Sequence, residues 1–438
     1  MNQKSKSQAI SVDVAVIGAG PGGTAAACYL AREGLNVAVF ERDPFPRFRI
    51  GESLLPHNMP IFKELGVAEE MEKRFIRKYG AHFADRTGNR RSRYPFATAI
   101  DKTYPYAYEV ERAEFDQVLL DKAVEDGAKI YMGWTVREVL FDGDQAVGLK
   151  AVNNESGEEL TVNCPMLVDA SGHSSLVNRT RGNKHKSVLR TRAAFFSHFE
   201  DAYREQGDQE GDIQIVAFRY GWFWMIPFKG NTTSIGAVVN EKFLSERTKD
   251  EDAEASMWRA INDTPFVANR VKNAKQKWPA KTIGNYSYGS TSYAGNGYVT
   301  IGDAGAFLDP VFSSGVFLTM KSAQLASVAI QQAFKEKDFS RKHFISYEKR
   351  IRDGQAIFLK FIQGWYDPAF LDLFFFPSNI LGIRTAIVTV LAADLFNPKY
   401  LWSLKLRIRL MFVFTAIHRL RLKLFRRGSR SLIQQQPV

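Results

Sequence analysis

Two hydrophobic periodicities divide this chain. Near its start, VDVAVIG is an apolar run, AGPGG a glycine turn, TAAACYLAREG an alanine-rich stretch and LNVAVFER a second apolar run. Strand, turn, helix and strand in that order make one βαβ unit, and parallel strands joined through a helix predict an α/β sheet. Between residues 181 and 281 the period changes: TRAAFFSHFE, DIQIVAFRY, GWFWMIPF and TTSIGAVVN are short runs separated by turn residues. Their alternation of period two predicts an antiparallel sheet. From Gly297, GYVTIGDAGAF returns to a buried strand and a glycine turn, followed by a helical run over residues 316–335. The expected first domain is therefore discontinuous, residues 10–180 and 282–340, with the antiparallel sheet of residues 181–281 inserted in it. Residues 341–438 are rich in Phe, Leu and Arg and predict a helical C-terminal region.

The stretch RYGWFWMIPFKG is unusually aromatic. As a strand it places Trp222, Trp224 and Ile226 on one face, and Pro227 marks an edge strand or a strand end. Such a face is either ordinary core or a wall beside a reactive group.

Composition narrows the class. With 45% apolar and 24% charged residues the chain can bury a sizeable core. Cys28 and Cys164 supply no disulfide framework and no metal-ligand spacing. The polar opening MNQKSKSQAIS lacks the apolar run of a secretory signal, so a cytoplasmic, reducing compartment is expected. The net charge is +12, but ten of the Lys and Arg residues lie from Lys399 onward with no Asp or Glu among them, which leaves the body at +2. The longest uncharged run of that tail, residues 410–417, is too short for a bilayer span, which needs about 20 apolar residues. The tail reads as a helix packing one face on the body, as an attachment to anionic lipid at the inner membrane face, or as a dock for an acidic partner. No reader motif accompanies the charge, so nucleic acid is not an expected partner.

Gly18, Gly20 and Gly23 form G-x-G-x-x-G between the first strand and its helix. That spacing lets the backbone approach a pyrophosphate at a helix N-terminus. Glu41 ends the second strand, where a carboxylate can bind ribose hydroxyls. Further on, YEVERAEFDQVLLDKA carries Arg112, LVDASGHSSLVNR carries Asp169, and VTIGDAGAFLDP carries Gly302 and Asp303. Taken singly, Arg112 and Asp169 read as surface or capping residues. In this order the set resembles the FAD-binding elements of glutathione-reductase-type flavoproteins of the aromatic-hydroxylase branch. The resemblance implies that Arg112 contacts the diphosphate side of FAD and that Asp303 holds the ribityl chain. No second glycine motif offers a nicotinamide site.

Three further segments resemble the flavin-dependent halogenases. Trp222 to Pro227 match W-x-W-x-I-P, and FIRKYGA, with Lys78, matches F-x-x-K-x-G-A. Phe307, Pro310, Ser313 and Gly315 match F-x-x-P-x-x-S-x-G, and RFRIGES, with Arg49, Glu52 and Ser53, fits the flavin segment of that family. The resemblance implies a two-domain FAD fold and an enzyme that uses FADH2, O2 and chloride or bromide to make hypohalous acid. It assigns halide binding to the backbone N–H groups of Ser314 and Gly315, and catalytic positions to Lys78, Trp222, Trp224 and Ser313. The oxidised halogen would pass to Lys78, with the indoles separating the substrate from the flavin. A separate reductase is expected to supply FADH2, and no metal is expected.

One departure bears on the substrate. Tryptophan halogenases of this family resemblance carry Glu before the serine of the third motif, where this chain has Phe312. That points to electron-rich phenols, polyketide-like rings or pyrroles, free or tethered to a carrier protein. The alternative is an FAD-dependent aromatic monooxygenase or double-bond reductase of the same fold, which has no use for Lys78 or the tryptophan pair.

Overall fold

The computed structural model describes residues 8–186, 192–284, 287–376 and 378–424. Strand β1 (Val14–Ile17), helix α1 (Pro21–Ala31) and strand β2 (Val37–Glu41) form the expected βαβ unit, with β1 and β2 parallel. Five parallel strands lie in the order Tyr298–Thr300, Met166–Asp169, β1, β2 and Lys129–Met132. Every residue of β1 and β2 is buried, because the sheet is covered on both faces. The strand from Tyr298 pairs with the one ending at Asp169, so the two stretches on either side of residues 181–281 meet inside one sheet.

The second sheet is where the structure departs from the expected limits. Its strands run Arg91–Pro95, Gly80–Asp85, Ile213–Phe218, β3 (Gly221–Pro227), Thr232–Asn240 and Arg192–Glu200, and the short strands Lys275–Gln276 and Lys281–Gly284 pair with the outer side of the last. Two of these come from the N-terminal segment rather than from residues 181–281, and Gly80–Asp85 runs parallel to Ile213–Phe218. Period-two alternation tells which way side chains point and is silent on the pairing partner, which is how these strands escaped the reading. Strand β3 is central, bonded on both sides, and Pro227 is its last residue; the strand-end reading of Pro227 holds and the edge reading does not.

Strand β3 also separates two cores. Phe223 and Met225 pack with Phe195, Met257 and Ile261 beneath the helices Ala253–Asn262 and Pro265–Val271. Trp222, Trp224 and Ile226 belong to the larger core on the other face.

The chain then enters α2 (Ser314–Glu336), which packs against α1, and ends its described part in α3 (Leu401–Leu424). Helix α3 buries Leu404, Ile408, Met411 and Thr415 against the body. No described helix is long and apolar enough to cross a membrane. The last part of the basic tail, from residue 425, lies outside the described residues. At the seam with this C-terminal region, His57, Asp101 and Asp394 bring imidazole and carboxylate atoms within 4.8 Å of one another. No spacing in the sequence announces that cluster, and it stands apart from the cleft described next.

Candidate active site

A cleft of about 710 Å³ opens between the two sheets, lined by Gly18, Gly20, Glu41, Arg47 and Asp303 and also by Trp222, Trp224, Pro310 and Ser314. The three motif glycines have separate reasons. Gly18 sits at φ +95°, where a Cβ would meet the Ala170 carbonyl at 2.6 Å, and a Cβ on Gly23 would lie 1.8 Å from the Gly18 oxygen. A Cβ on Gly20 would meet only Arg47 Nη2, at 3.9 Å, because that side of the turn faces the cleft. Helix α1 starts there with no side-chain cap and no acidic residue in its first turn. Its free N–H groups and dipole favour an anion. Buried Glu41 accepts from the Ala19 N–H at 2.8 Å and from the Asp43 N–H at 2.9 Å, which holds its carboxylate at the cleft.

Arg47, which sequence reasoning passed over, reinforces this end. It pairs with Asp116 at 2.8 Å and lies 3.7 Å from Glu41, while its buried Nε has no hydrogen-bond partner among the described residues. Arg112 grips the same Asp116 through Nε and Nη2, at 2.9 and 3.0 Å, and donates to the Ile50 carbonyl at 2.6 Å. An uncapped helix end, a glycine face open to the cleft and a buried unpartnered guanidinium nitrogen fit the diphosphate of FAD. Arg49 stands at the rim, half exposed and paired with Asp43. Asp169 does not reach the cleft: it accepts from the Ser171 and Val177 N–H groups and shapes the loop that does. Gly302, at φ +55°, packs onto α2, where a Cβ would meet Thr319 Oγ1 at 2.2 Å, and it brings Asp303 to the cleft wall.

The other end is built around the start of α2. After the turn Pro310–Phe312, Ser313 takes φ +55°, and Ser314 and Gly315 follow as the first two helical residues. No side chain caps these N–H groups, the first turn has no acidic residue, and nothing lies within 4 Å of a Cβ placed on Gly315. Trp222, Trp224 and Ile226 line the cleft while Phe223 and Met225 do not, as the alternation of β3 requires.

Each indole is fixed by a hydrogen-bonded relay, buried for Trp224 and partly buried for Trp222. Trp224 Nε1 donates to Ser234 Oγ at 3.1 Å, and Ser234 donates to Glu52 at 2.6 Å; His198 Nε2 lies 2.8 Å from the other Glu52 oxygen. Glu52 thus ties the flavin segment to the second sheet. Trp222 Nε1 donates to the Tyr366 hydroxyl at 3.1 Å, which donates to Asp309 at 2.8 Å beside the turn before α2.

Lys78 is buried directly behind the wall. Its Nζ donates to Ser53 Oγ at 2.6 Å and to the Leu54 carbonyl at 3.0 Å, and Ser53 lines the cleft. Glu109 lies 3.8 Å from Nζ, fully buried, and neither of its oxygens has a hydrogen-bond partner among the described residues. Burial pushes the Lys78 ammonium below its usual range, opposed by Glu109 and Asp212. Burial likewise pushes Glu109 up to about 8, opposed by Lys78. A neutral amine has two N–H donors, and Lys78 has two acceptors at hydrogen-bond distance.

Phe312 sits in a cluster with Phe83, Phe361, Trp365 and Phe374, ring centroids 6.1 to 6.4 Å away. A carboxylate there would be buried without partners, at a cost of several kcal/mol or about that.

Glu109, Tyr366, Asp309 and His198 were not found by motif. Each comes from a segment remote in sequence from its partner, and no local spacing marks them.

A family model for tryptophan halogenase matches residues 13–104 and 86–370. A 1H-pyrrole-2-carbonyl-[peptidyl-carrier protein] chlorinase of Pseudomonas fluorescens is 32% identical over 423 residues, 89% of this chain and 90% of that protein. A tryptophan 2-halogenase of Chondromyces crocatus is 34% identical over 325 residues, 73% of this chain and 61% of that protein. The structure of the myxobacterial chondrochloren halogenase CndH, described as a new variant of FAD-dependent halogenases, superposes with a TM-score of 0.76 at 36% identity, covering 82% of this chain and 83% of that one. With the open glycine turn, the uncapped helix end and the indole wall in one cleft, these matches place the chain in the tryptophan halogenase family, as a flavin-dependent halogenating enzyme.

Proposed function

We propose that this enzyme chlorinates or brominates an electron-rich phenolic, polyketide-like or pyrrole ring, free or carried on an acyl carrier protein, using FADH2 from a separate reductase. The observation that carries the reading is the uncapped start of α2 facing the same cleft as Trp222 and Trp224, with Phe312 packed among rings where a carboxylate would assist a poorer substrate. Relatives that act on a carrier-bound pyrrole or on position 2 of tryptophan, both five-membered nitrogen rings, support it. We assign the basic C-terminal region a docking role rather than a chemical one.

Bound reduced flavin supplies activated oxygen able to oxidise a halide to hypohalous acid. The chain's own residues do the rest. The N–H groups of Ser314 and Gly315 replace the water shell of the halide, as a helix N-terminus can. Trp222 and Trp224, locked by Tyr366 and Ser234, keep water and the ring substrate out of the flavin end. Excluding water protects a reactive oxidant. Lys78, with its charge disfavoured by burial, holds the oxidised halogen for the ring. A phenol or pyrrole loses its ring proton readily once substituted, because its heteroatom has already stabilised the cation, so no carboxylate is needed at position 312.

The test is mass analysis of products from protein, FAD, a reductase, bromide or chloride, and a panel of phenols, pyrroles and carrier-tethered acyl rings. Gain of halogen on at least one class is expected; gain of oxygen alone, at any halide concentration, would refute the reading.

A further inference from the structure

Helix α3 carries two apolar stripes, and only one of them is packed. Leu404, Ile408, Met411 and Thr415 face the body. At about 100° per residue, Trp402, Leu406, Val413, Ile417, Leu420 and Leu424 fall within an arc of about 60° centred on the opposite side. All six are exposed, Trp402 to 77% and Leu424 to 80%. A helix whose work ends with closing a core turns polar residues outward; this one turns a ridge of Leu, Ile and Trp.

Charge frames that ridge. From Lys399 to Leu424 there are seven Lys and Arg residues and no Asp or Glu. Lys405, Arg409, Arg421 and Lys423 project on the same half of the helix as the exposed apolar arc. A second feature lies alongside. The turn Ile380–Gly382 approaches the Arg407 guanidinium, and its Ile380 and Leu381 are 54% and 60% exposed, with Leu381 held at φ +51°. A leucine held in a left-handed conformation is costly.

We propose that this face seats the enzyme peripherally on an anionic lipid surface, with the α3 ridge and the Ile380–Leu381 tip in the headgroup region and the flanking Lys and Arg on lipid phosphates. A convex ridge with Trp at one end, bordered by basic side chains, fits a deformable interface that takes both apolar and cationic groups. A second copy of the same face would oppose these four cations with four. An acidic carrier protein would answer the charge but offers the ridge no apolar medium along its roughly 36 Å length.

The experiment is co-sedimentation of the full chain with vesicles of phosphatidylcholine alone or mixed with phosphatidylglycerol. Binding is expected to strengthen at least about tenfold with phosphatidylglycerol and to weaken with salt. The double variant Ile417→Glu, Leu420→Glu should lose binding while keeping its melting temperature, its bound FAD and its turnover of a water-soluble phenol. Equal binding by the double variant, or none by the parent chain to anionic vesicles, overturns the proposal. So does concentration-dependent dimerisation, or capture of purified acyl carrier protein in place of vesicles, if the double variant abolishes it.

Discussion

Two helices open their N-termini into the cleft, and they are built by different means. Helix α1 begins after Gly20, in extended backbone, with Pro21 as its first residue and glycines packed into a turn that only they can make. Helix α2 begins after Ser313, a residue with a side chain held at φ +55°, a conformation that costs on the order of 1–2 kcal/mol. Almost everything that shapes the first end lies within one stretch of chain. The second needs Asp309 and its turn, Tyr366 from the C-terminal region, the indoles of β3, and Lys78 with Ser53 behind them. A diphosphate wants several N–H donors and close backbone approach, which a short glycine motif supplies. A lone halide to be oxidised next to a ring wants dryness and a second wall, which only distant segments can bring.

The difference can be broken or sharpened by substitution. The largest effect is expected from Lys78→Ala, which leaves both helix ends intact. Halogenation should fall about 10²–10⁴-fold while flavin binding is unchanged; normal turnover would remove the lysine from the second end. Gly20→Val attacks the first end alone, because its side chain has room in the fold and points into the cleft. FAD affinity, read by flavin fluorescence, should weaken by about 1–3 kcal/mol with little change in melting temperature. Gly315→Val is the counterpart at the second end: halide KM should rise about tenfold with FAD affinity preserved, and a joint loss of both would mean that the two ends are not separable.

The smallest expected effect concerns the buried pair. Glu109 has its carboxyl raised to about 8, so the folded state retains a proton that the unfolded chain has released. The stability this contributes is complete below the unfolded carboxyl value and is lost as pH rises through about 8. Glu109→Gln should therefore raise the melting temperature, by about 2 °C or more, near pH 9, by less near pH 6, and change it little near pH 4. A gain at pH 6 as large as that at pH 9 would show that Glu109 already carries its charge at pH 6.

The legibility of the molecule follows the same division. The βαβ unit, the return of the chain to the first sheet and the face of β3 that carries Trp222, Trp224 and Ile226 could be read from periodicity. Lys78, Ser314 and Gly315 were singled out by resemblance, and the structure sets them around or just behind one cleft. Arg112 was matched with them, with Asp116 one helical turn behind it, but the companion Arg47 was not, since an ion pair across 69 residues leaves no local trace. Asp169 stood in the right order and turned out to hold a loop. The charge of the tail was plain, yet which of its leucines face outward was not, because a helix with apolar residues on two opposite sides has little net amphipathicity to detect.

Taken alone, the sequence determined local geometry: where glycine must stand, which residues alternate, where charge gathers. Tertiary structure decided which remote groups meet, above all Glu109 with Lys78, Glu52 with His198 and Ser234, and Tyr366 with Trp222 and Asp309. The physical reason is that backbone sterics and side-chain periodicity act between near neighbours in the chain. Burial, which sets the proton affinity of Lys78 and the dryness of its surroundings, exists only once segments far apart have closed over it.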